Sequence, residues 1–383
     1  MARLGDICVQ ITDGSHNPPA AIEESKYLMI SSKNIDDDCI TLTNPRYLSK
    51  KDFETENKRT NISVNDLLVT IVGTIGRVAI VPDNLRNICA QRSVAVLKPK
   101  SDIVNSRFLM YYLQHMRPQL EREARGVAQK GIYLKQLSNL MVVLPPLDKQ
   151  KKIVSVMDKV SDLIAKRRAQ LEKLDLLVKA KFVEMFGEYE DDIYYTSIEA
   201  ISEMVTVGIA NSATHAYTDK GVVMFRNQNI KENYLDDSDI IFIMPKFADK
   251  YKTKVLKAND ILVTRTGYPG VACLVPPQYE GSQSFTTLIV RLKREMAISP
   301  AYVSHYINSL YGKNFVNEMK VGVAQQNFGA KALEKMPIFI PPIEQQKRFE
   351  AFVQINEAVK DGIKHSLKKL ETLKKALMQE YFG

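Results

Sequence analysis

The chain has 383 residues, more than one ordinary hydrophobic core requires, and this length fits two domains. A hydrophobic fraction of 45% and a charged fraction of 25% are typical of a folded globular protein, so the composition excludes wholesale disorder. The net charge of +9 favours a polyanionic partner, either nucleic acid or an acidic membrane surface.

The start of the chain and its cysteines bear on the cellular compartment. Residues 1–6 lack the basic and then apolar pattern of a signal peptide, and no apolar run approaches the ~18 residues of a membrane span. The four cysteines are scattered and form no CxxC pair, which argues against zinc and redox motifs. We therefore expect a cytoplasmic protein with structural thiols and no membrane association.

Short strands and a glycine-bearing turn are the first predicted elements. Residues 67–71 and 78–81 are β-rich runs, and Gly73 and Gly76 between them supply the positive φ angles of a tight turn. A further strand is predicted at 94–97, followed by a short helix at 107–114. This part of the chain is therefore predicted to form a mixed α/β domain.

A double proline ends that domain, and a long helix follows it. Proline is tolerated in the first turn of a helix but stops a preceding helix. After Pro146 the chain contains no proline or glycine until Gly187. A helix of about 40 residues would be roughly 60 Å long at a rise of 1.5 Å per residue.

The second half of the chain repeats the first. The segment NDLLVT at 65–70 recurs as NDILVT at 259–264, which is 194 residues later. GVAQ at 126–129 recurs at 322–325, and LPPL at 144–147 recurs as IPPI at 340–343, both 196 residues later. Because the offset drifts by only two residues, the halves are duplicated domains and not short stacked repeats.

Each Pro-Pro pair is followed by apolar residues at spacings of three and four. Neither helix can bury such a stripe on one small domain, so we predict that the two helices pack along each other. An ordinary core helix in each domain is the alternative. The residues predicted to form the helix pair are Met157, Ile164, Leu171, Leu174, Val178, Ile363, Leu367, Leu370 and Leu377.

These motifs resemble one known family. LGDI at 4–7 with TDGSH at 12–16, GTIG at 73–76 and both Pro-Pro-(Leu/Ile)-x-x-Gln helix starts are typical of the specificity subunit of Type I restriction–modification systems. The likeness covers essentially the whole chain, and the duplicated order of elements makes it specific. In the second copy Ile209-Ala210-Asn211 follows the glycine where Ser15-His16-Asn17 follows it in the first, so the two domains are predicted to read different sequences.

The resemblance implies an α+β fold in which two globular mixed α/β target-recognition domains are joined by two long antiparallel coiled-coil helices, as a pseudo-two-fold tandem repeat. The predicted division is domain 1 at 1–146, a central helix at 147–187, domain 2 at 188–342 and a C-terminal helix at 343–383. The family's function would be to read a bipartite site in double-stranded DNA and to scaffold two methyltransferase subunits and the restriction subunits. The cofactors would lie outside this chain, with S-adenosylmethionine in the methyltransferase and ATP and Mg in the restriction partner.

Polar residues beside glycine turns or interrupting strands are the candidates for contact with DNA, because base edges are read by such side chains. In the first domain they are Ser15, His16, Asn17, Lys33, Asn34, Thr74, Arg77, Gln91, Arg92, Gln129 and Lys130. In the second domain they are Arg226, Asn227, Gln228, Asn229, Arg265, Thr266, Tyr268, Gln283, Ser284, Gln325 and Gln326.

No motif predicts catalysis or metal binding by this chain. Asn17-Pro18-Pro19 is superficially like an amino-methyltransferase motif, but Ala20 follows it where an aromatic residue would stack on the flipped base. The five histidines show no HxxxH pairing. Two alternatives to the leading prediction stay open: a specificity subunit of a different methyltransferase or fused restriction system, and a coiled-coil adaptor that does not bind DNA.

Overall fold

The computed structural model describes residues 1–124, 131–187, 195–211, 213–322 and 326–383. These residues form two compact units. Unit 1 comprises Met1–Arg168 and Lys364–Gly383, and unit 2 comprises Ala169–Ile363. Each unit therefore contains one mixed α/β domain together with part of each long helix.

The main sheet of unit 1 has four antiparallel strands. Their spatial order is Cys8–Asp13, Val94–Pro99, Leu67–Thr70 and Val78–Ile80. Side chains alternate between the two faces of a strand. Leu67 accordingly lies in the core beside the domain helices, while Leu68 lies in a second core on the opposite face. Both faces are covered, which explains the continuous apolar run in the sequence.

A smaller sheet lies against that second core. Its central strand, Leu28–Ile30, pairs in parallel with Ile88–Ala90 and antiparallel with Arg46–Tyr47. Among the described residues, unit 1 has two further antiparallel pairs of strands, Ile35–Asp36 with Cys39–Ile40 and Ala2–Arg3 with Met141–Val142. The α-helices of this domain are Lys50–Thr60, Ser106–His115, Arg117–Glu123 and Leu134–Ser138.

Unit 2 repeats the topology of the main sheet, and its smaller sheet has four strands where that of unit 1 has three. The main sheet has the order Ser202–Val207, Leu288–Leu292, Ile261–Val263 and Ala272–Leu274. The smaller sheet has the order Tyr217–Thr218, Ile241–Ile243, Val222–Phe225 and Gln283–Ser284. The remaining strand pairs are Ile230–Lys231 with Tyr234–Leu235, and Thr196–Ser197 with Pro337–Ile338. The α-helices of this domain are Ile198–Ile201, Pro245–Ala248, Pro300–Asn308, Leu310–Met319 and Ala330–Glu334.

Two helices of 40 residues each follow the double prolines. The first long helix is Leu147–Phe186, and the second long helix is Ile343–Phe382. Each begins directly after the second proline of its pair, where the absence of a proline N–H costs no helical hydrogen bond.

The long helices pack against each other within each unit. In unit 1, Met157 near the start of the first helix lies in one core with Phe382 at the end of the second. In unit 2, Phe182 near the end of the first helix lies in one core with Phe349 near the start of the second. The helices are therefore antiparallel, and the predicted fold class is confirmed.

The residues predicted to form the helix pair differ in burial. Met157, Ile164 and Val178 are buried. The others are partly exposed, namely Leu171, Leu174, Ile363, Leu367, Leu370 and Leu377. Ion pairs accompany this apolar contact, with Arg168 Nη2 at 2.8 Å from Glu371 Oε1 in unit 1.

Candidate nucleic-acid interface

In unit 1, four loops from distant parts of the sequence meet around Ser93. The backbone N–H of Ile71, at the start of the glycine turn, donates to the Ser93 carbonyl at 2.9 Å. The N–H of Ser32 donates to Ser93 Oγ at 3.1 Å. The N–H of Arg92 donates to the Ser15 carbonyl at 2.8 Å. These bonds hold the loops that carry the predicted contact residues side by side.

The glycine turn of unit 1 presents one side chain at its tip. Gly73 and Gly76 have φ angles of +85° and +79°, which favour glycine strongly over residues with a Cβ atom. Thr70 Oγ1 donates to the Thr74 carbonyl and accepts from the Arg77 N–H at 2.9 Å. Thr70 thus bonds to the backbone on the inner side of the turn, and the Thr74 side chain at the tip is exposed to solvent.

Two basic side chains share one carboxylate beside this turn. His16 Nε2 lies 2.8 Å from Asp13 Oδ2, and Arg59 donates to Asp13 Oδ1 and, at 3.2 Å, to Thr12 Oγ1. Both basic side chains are 54% exposed, whereas that of Asp13 is 11% exposed. Arg59 was not among the predicted contact residues, because it lies on a helix far along the sequence from the loops it joins.

Unit 2 assembles a corresponding cluster from different side chains. Asn227 Nδ2 donates to Thr266 Oγ1 at 2.8 Å, and its Oδ1 accepts from the backbone N–H of Arg265 at 3.3 Å. Arg265 Nε donates to Asn327 Oδ1 at 3.0 Å. The loop 226–229, the glycine turn and the loop before the last strand are therefore joined by hydrogen bonds among the predicted contact residues Asn227, Arg265 and Thr266 and by Asn327, which follows the predicted Gln326.

The glycine turn of unit 2 carries a tyrosine at its tip. Gly267 and Gly270 have φ angles of +78° and +89°. Thr264 Oγ1 donates to the Tyr268 carbonyl, in the same way that Thr70 does in unit 1. The Tyr268 side chain is 88% exposed, which is unusual for so large a ring. The two turns thus share a backbone but present different groups.

Four of the predicted contact residues are buried, and the prediction is revised for them. The Asn34 amide donates to the carbonyls of Thr41 and Thr43, both at 3.2 Å. Asn229 makes the equivalent bonds in unit 2, and Gln283 and Ser284 lie inside the small sheet. Since their side chains are no more than 2% exposed, these residues shape the loops and do not reach a ligand at the surface.

The other predicted contact residues remain predictions. Exposed among them are His16, Asn17, Lys33, Thr74, Arg92, Gln228 and Tyr268. Partly exposed are Ser15, Arg77, Gln91, Arg226, Asn227, Arg265, Thr266 and Gln326. Gln129, Lys130 and Gln325 lie outside the described residues.

Among the described residues, no group of three or more His, Cys, Asp or Glu residues is placed to hold a metal ion. No described helix is both long enough and apolar enough to cross a membrane.

Comparison with known families identifies the chain. Residues 2–173 and 198–372 each match the family described as the Type I restriction modification DNA specificity domain. The chain belongs to this family. The two matched stretches contain the two glycine turns, so both copies of the specificity domain include a candidate interface.

Two curated specificity subunits are similar to this chain over different lengths. The Type I restriction enzyme EcoBI specificity subunit of Escherichia coli is 37% identical over 123 residues, which are 32% of this chain and 26% of that protein. The MjaVIII specificity subunit of Methanocaldococcus jannaschii is 19% identical over 351 residues, which are 85% of this chain and 82% of that protein. The first match thus spans about a quarter of its relative, and the second spans most of it.

Solved structures share the fold of this specificity-domain protein. The S subunit of a Type I restriction–modification system from M. genitalium has a TM-score of 0.58 at 13% identity, covering 100% of this chain and 95% of that one. A structure described as showing complex assembly and conformational transition of the type I R-M system has a TM-score of 0.56 at 14% identity. It covers 100% of this chain and 96% of that one.

Proposed function

We propose that this chain is a non-catalytic specificity subunit that reads a bipartite, asymmetric site in double-stranded DNA, one half-site per domain. The observation that carries the proposal is the repeated glycine turn, which in each unit is held beside polar loops and presents an exposed side chain. Direct readout of the major groove uses side chains such as Arg, Asn, Gln, Ser and Thr, and Thr74, Asn227 and Arg265 are of these types. The net charge of +9 favours association with a polyanion.

The different side chains in the two units support an asymmetric target. Thr74 occupies the turn tip in unit 1, and Tyr268 occupies it in unit 2. Asp13 and His16 of unit 1 are replaced by Val207 and Ala210 in unit 2, 194 residues later, so the carboxylate that His16 and Arg59 share has no equivalent there. Two domains with one backbone and different donors and acceptors are expected to select different bases.

Apolar residues on the long helices support docking of two equivalent partners. Unit 1 exposes Leu163 and Leu373 at 44% and 46%, and unit 2 exposes Leu177 and Val359 at 48% each. Leu163 matches Val359 in the repeat, and Leu177 matches Leu373, because each pair is 196 residues apart. Exposed apolar groups recurring on otherwise charged helices suit a protein interface.

We therefore extend the proposal to partners. Two methyltransferase subunits would dock on the long helices, one at each unit, and restriction subunits would join that complex. S-adenosylmethionine would be held by the methyltransferase, and ATP and Mg by the restriction subunit. The helix pair would determine the number of base pairs between the half-sites, and the protein would act in the cytoplasm.

Selection from a random library of duplex DNA tests the DNA-binding proposal. The full-length chain, assembled with its methyltransferase, is expected to enrich duplexes with two different defined half-sites separated by undefined bases. Enrichment of a single continuous site, or no enrichment, would contradict the proposal.

Two alternatives make different predictions. A coiled-coil adaptor without DNA binding would show no DNA affinity, whereas a specificity subunit is expected to show affinity that falls steeply with salt, since it releases counterions from phosphates. A specificity subunit of a different methyltransferase or fused restriction system would differ in the genes beside it. Adjacent genes for both a methyltransferase and a translocase would favour the leading proposal.

A further inference from the structure

A short hairpin in each unit connects the glycine turn to a long helix. We call the hairpin tip Asp37–Asp38 in unit 1 and Glu232–Asn233 in unit 2, residues that are 195 positions apart. Asp38 and Asn233 have φ angles of +67° and +63°, a conformation that Asp and Asn tolerate better than most residues. The same tight turn is therefore built in both copies.

Each hairpin tip is bonded to the strand that leaves the glycine turn. The Asp38 N–H donates to the Val78 carbonyl at 3.1 Å, and the Asn233 N–H donates to the Ala272 carbonyl at 2.8 Å. Val78 lies two residues after Gly76, as Ala272 lies two residues after Gly270. A displacement of the tip therefore displaces the base of the turn.

An amide side chain from a domain helix reinforces this bond in both units. Gln114 Nε2 donates to Asp38 Oδ1 at 2.6 Å and to the Val78 carbonyl at 3.4 Å. Asn308 Nδ2 donates to Asn233 Oδ1 at 2.7 Å and to the Ala272 carbonyl at 2.8 Å. These hydrogen bonds join the hairpin tip, the base of the glycine turn and the domain helix in each unit.

A lysine on a long helix contacts the hairpin tip in each unit. In unit 1, Lys374 Nζ lies 3.3 Å from Asp38 Oδ2 and 5.7 Å from the centre of the Tyr111 ring. In unit 2, Lys179 Nζ lies 2.6 Å from Glu232 Oε2, while Lys313 contacts the other carboxylate oxygen. Burial alone would raise the pKa of Glu232, but the hydrogen bonds from the two lysines outweigh it and lower that pKa.

The two long-helix lysines, Lys374 and Lys179, are contributed by opposite copies of the repeat. Lys374 belongs to the second copy but contacts the tip of the first domain. Lys179 belongs to the first copy but contacts the tip of the second domain. Their positions are adjacent and not identical in the repeat, because Lys179 matches Lys375.

We propose that Lys374 and Lys179 are positioning residues, each of which fastens the hairpin tip of one recognition domain to the long helix of the other copy and so sets the angle of its glycine turn on DNA. The inference rests on the proposed function. If a domain tilts relative to the long helices, it contacts the duplex at a different distance from the other domain. By limiting this tilt, the lysines would restrict the spacer lengths that both domains can read together.

Spacer-length discrimination in the full-length complex tests the inference. The probes are duplexes with the two half-sites selected by the wild-type protein and with spacers of the selected length or one or two base pairs shorter or longer. Lys374→Gln is expected to weaken binding to the selected spacer roughly three- to tenfold, as for loss of a partly buried ion pair. Binding to the other spacers should fall less, so discrimination decreases. Lys179→Gln is expected to act in the same way through the other half-site.

Matched variants separate positioning from simple loss of charge. Lys375→Gln removes the same charge from the neighbouring helix position and should leave discrimination unchanged. Lys374→Arg keeps the positive charge and leaves Asp38 in place, so it should retain discrimination, and thermal melting of each variant checks that the fold is intact. Unchanged discrimination in Lys374→Gln and Lys179→Gln, or an equal loss in Lys375→Gln, would overturn the inference. If the wild-type complex selects no bipartite site, the proposed function itself fails, and this inference fails with it.

Discussion

A buried histidine distinguishes unit 2 chemically from unit 1. His305 lies between the rings of Phe349 and Phe182, with centroids 5.0 and 6.3 Å away, and its place in the first copy is taken by Tyr111. Burial lowers the pKa of His305 to about 4, and the positive charge of Lys360 contributes in the same direction. The folded protein therefore holds this imidazole in its neutral form.

The free energy of unfolding is expected to decrease as the pH is lowered, because His305 is held neutral in the folded protein. The unfolded chain binds a proton near pH 6.5, whereas the folded chain binds it only near its lower pKa, so the stabilisation is lost as the pH falls between these values. The free energy of unfolding should decrease by about 2 kcal/mol more between pH 7 and pH 5 in wild type than in His305→Tyr. Urea denaturation at both pH values measures this. Equal pH dependence in both proteins would show that His305 does not titrate as expected.

One arginine in each candidate interface provides a test at the level of bases. Arg265 of unit 2 is oriented by Asn327, and Arg92 of unit 1 lies in the loop that is bonded to Ser15. Arginine to guanine is the commonest specific base contact, and a bidentate pair contributes ~1–3 kcal/mol of discrimination. Arg265→Ala should relax base selection in one half-site, and Arg92→Ala should relax it in the other. Unchanged base selection by either variant would show that the replaced arginine does not contact bases.

At the scale of elements, a buried glutamine anchors the start of each long helix. Gln346 Oε1 accepts from the Ser299 N–H at 2.8 Å, and Nε2 donates to the carbonyls of Pro341 and Ala297 at 2.7 and 3.4 Å. Gln150 makes the equivalent bonds in unit 1, and both side chains are fully buried. The glutamine thus joins the domain to its helix, which gives the recurring Pro-Pro-x-x-x-Gln pattern a structural role.

Replacement of this glutamine should destabilise the protein. Gln346→Leu leaves one backbone N–H and two carbonyls without a partner in the interior, which is expected to cost about 2–4 kcal/mol. The neighbouring Gln345 is exposed, so Gln345→Leu is the matched control and should change stability little. Denaturant unfolding of the full-length chain measures the free energy of unfolding of both variants. A loss below about 1 kcal/mol in Gln346→Leu would argue against an anchoring role.

Much of the element scale could be predicted from the sequence, and the reasons are local. Pro146 and Pro342 mark the helix starts, and Gly73 and Gly267 mark the turns, because proline and glycine constrain the backbone directly. The strand predicted at 67–71 ends one residue earlier, at Thr70.

The composition of the candidate interface was less predictable. Asn34 and Asn229 have the polar character of contact residues, yet the side-chain amide of each donates its hydrogen bonds to backbone carbonyls of its own loop. The meeting of loops around Ser93 and the contact of Arg59 with Asp13 depend on long-range packing. Neither leaves a periodic signal in the sequence.

At the scale of the whole molecule, both long helices run from one unit into the other. Inserting one heptad into each helix at facing positions, after Arg168 and after Leu370, keeps the apolar stripes in phase to within about 20°. We expect this double insertion to retain both half-site sequences but to change the preferred spacer. An insertion into only one helix should abolish binding, because the helices would pair out of register. An unchanged spacer in the double insertion would exclude a spacing role for the helix pair.

The most direct measurement is a genome-wide map of methylated bases in cells with and without this chain. We predict a two-part motif with an undefined spacer that is methylated when the chain is present and unmethylated when its gene is deleted. Restoring the gene should restore the motif, and the Arg265→Ala form should alter only one half. A methylation pattern that is the same with and without the chain would contradict the account.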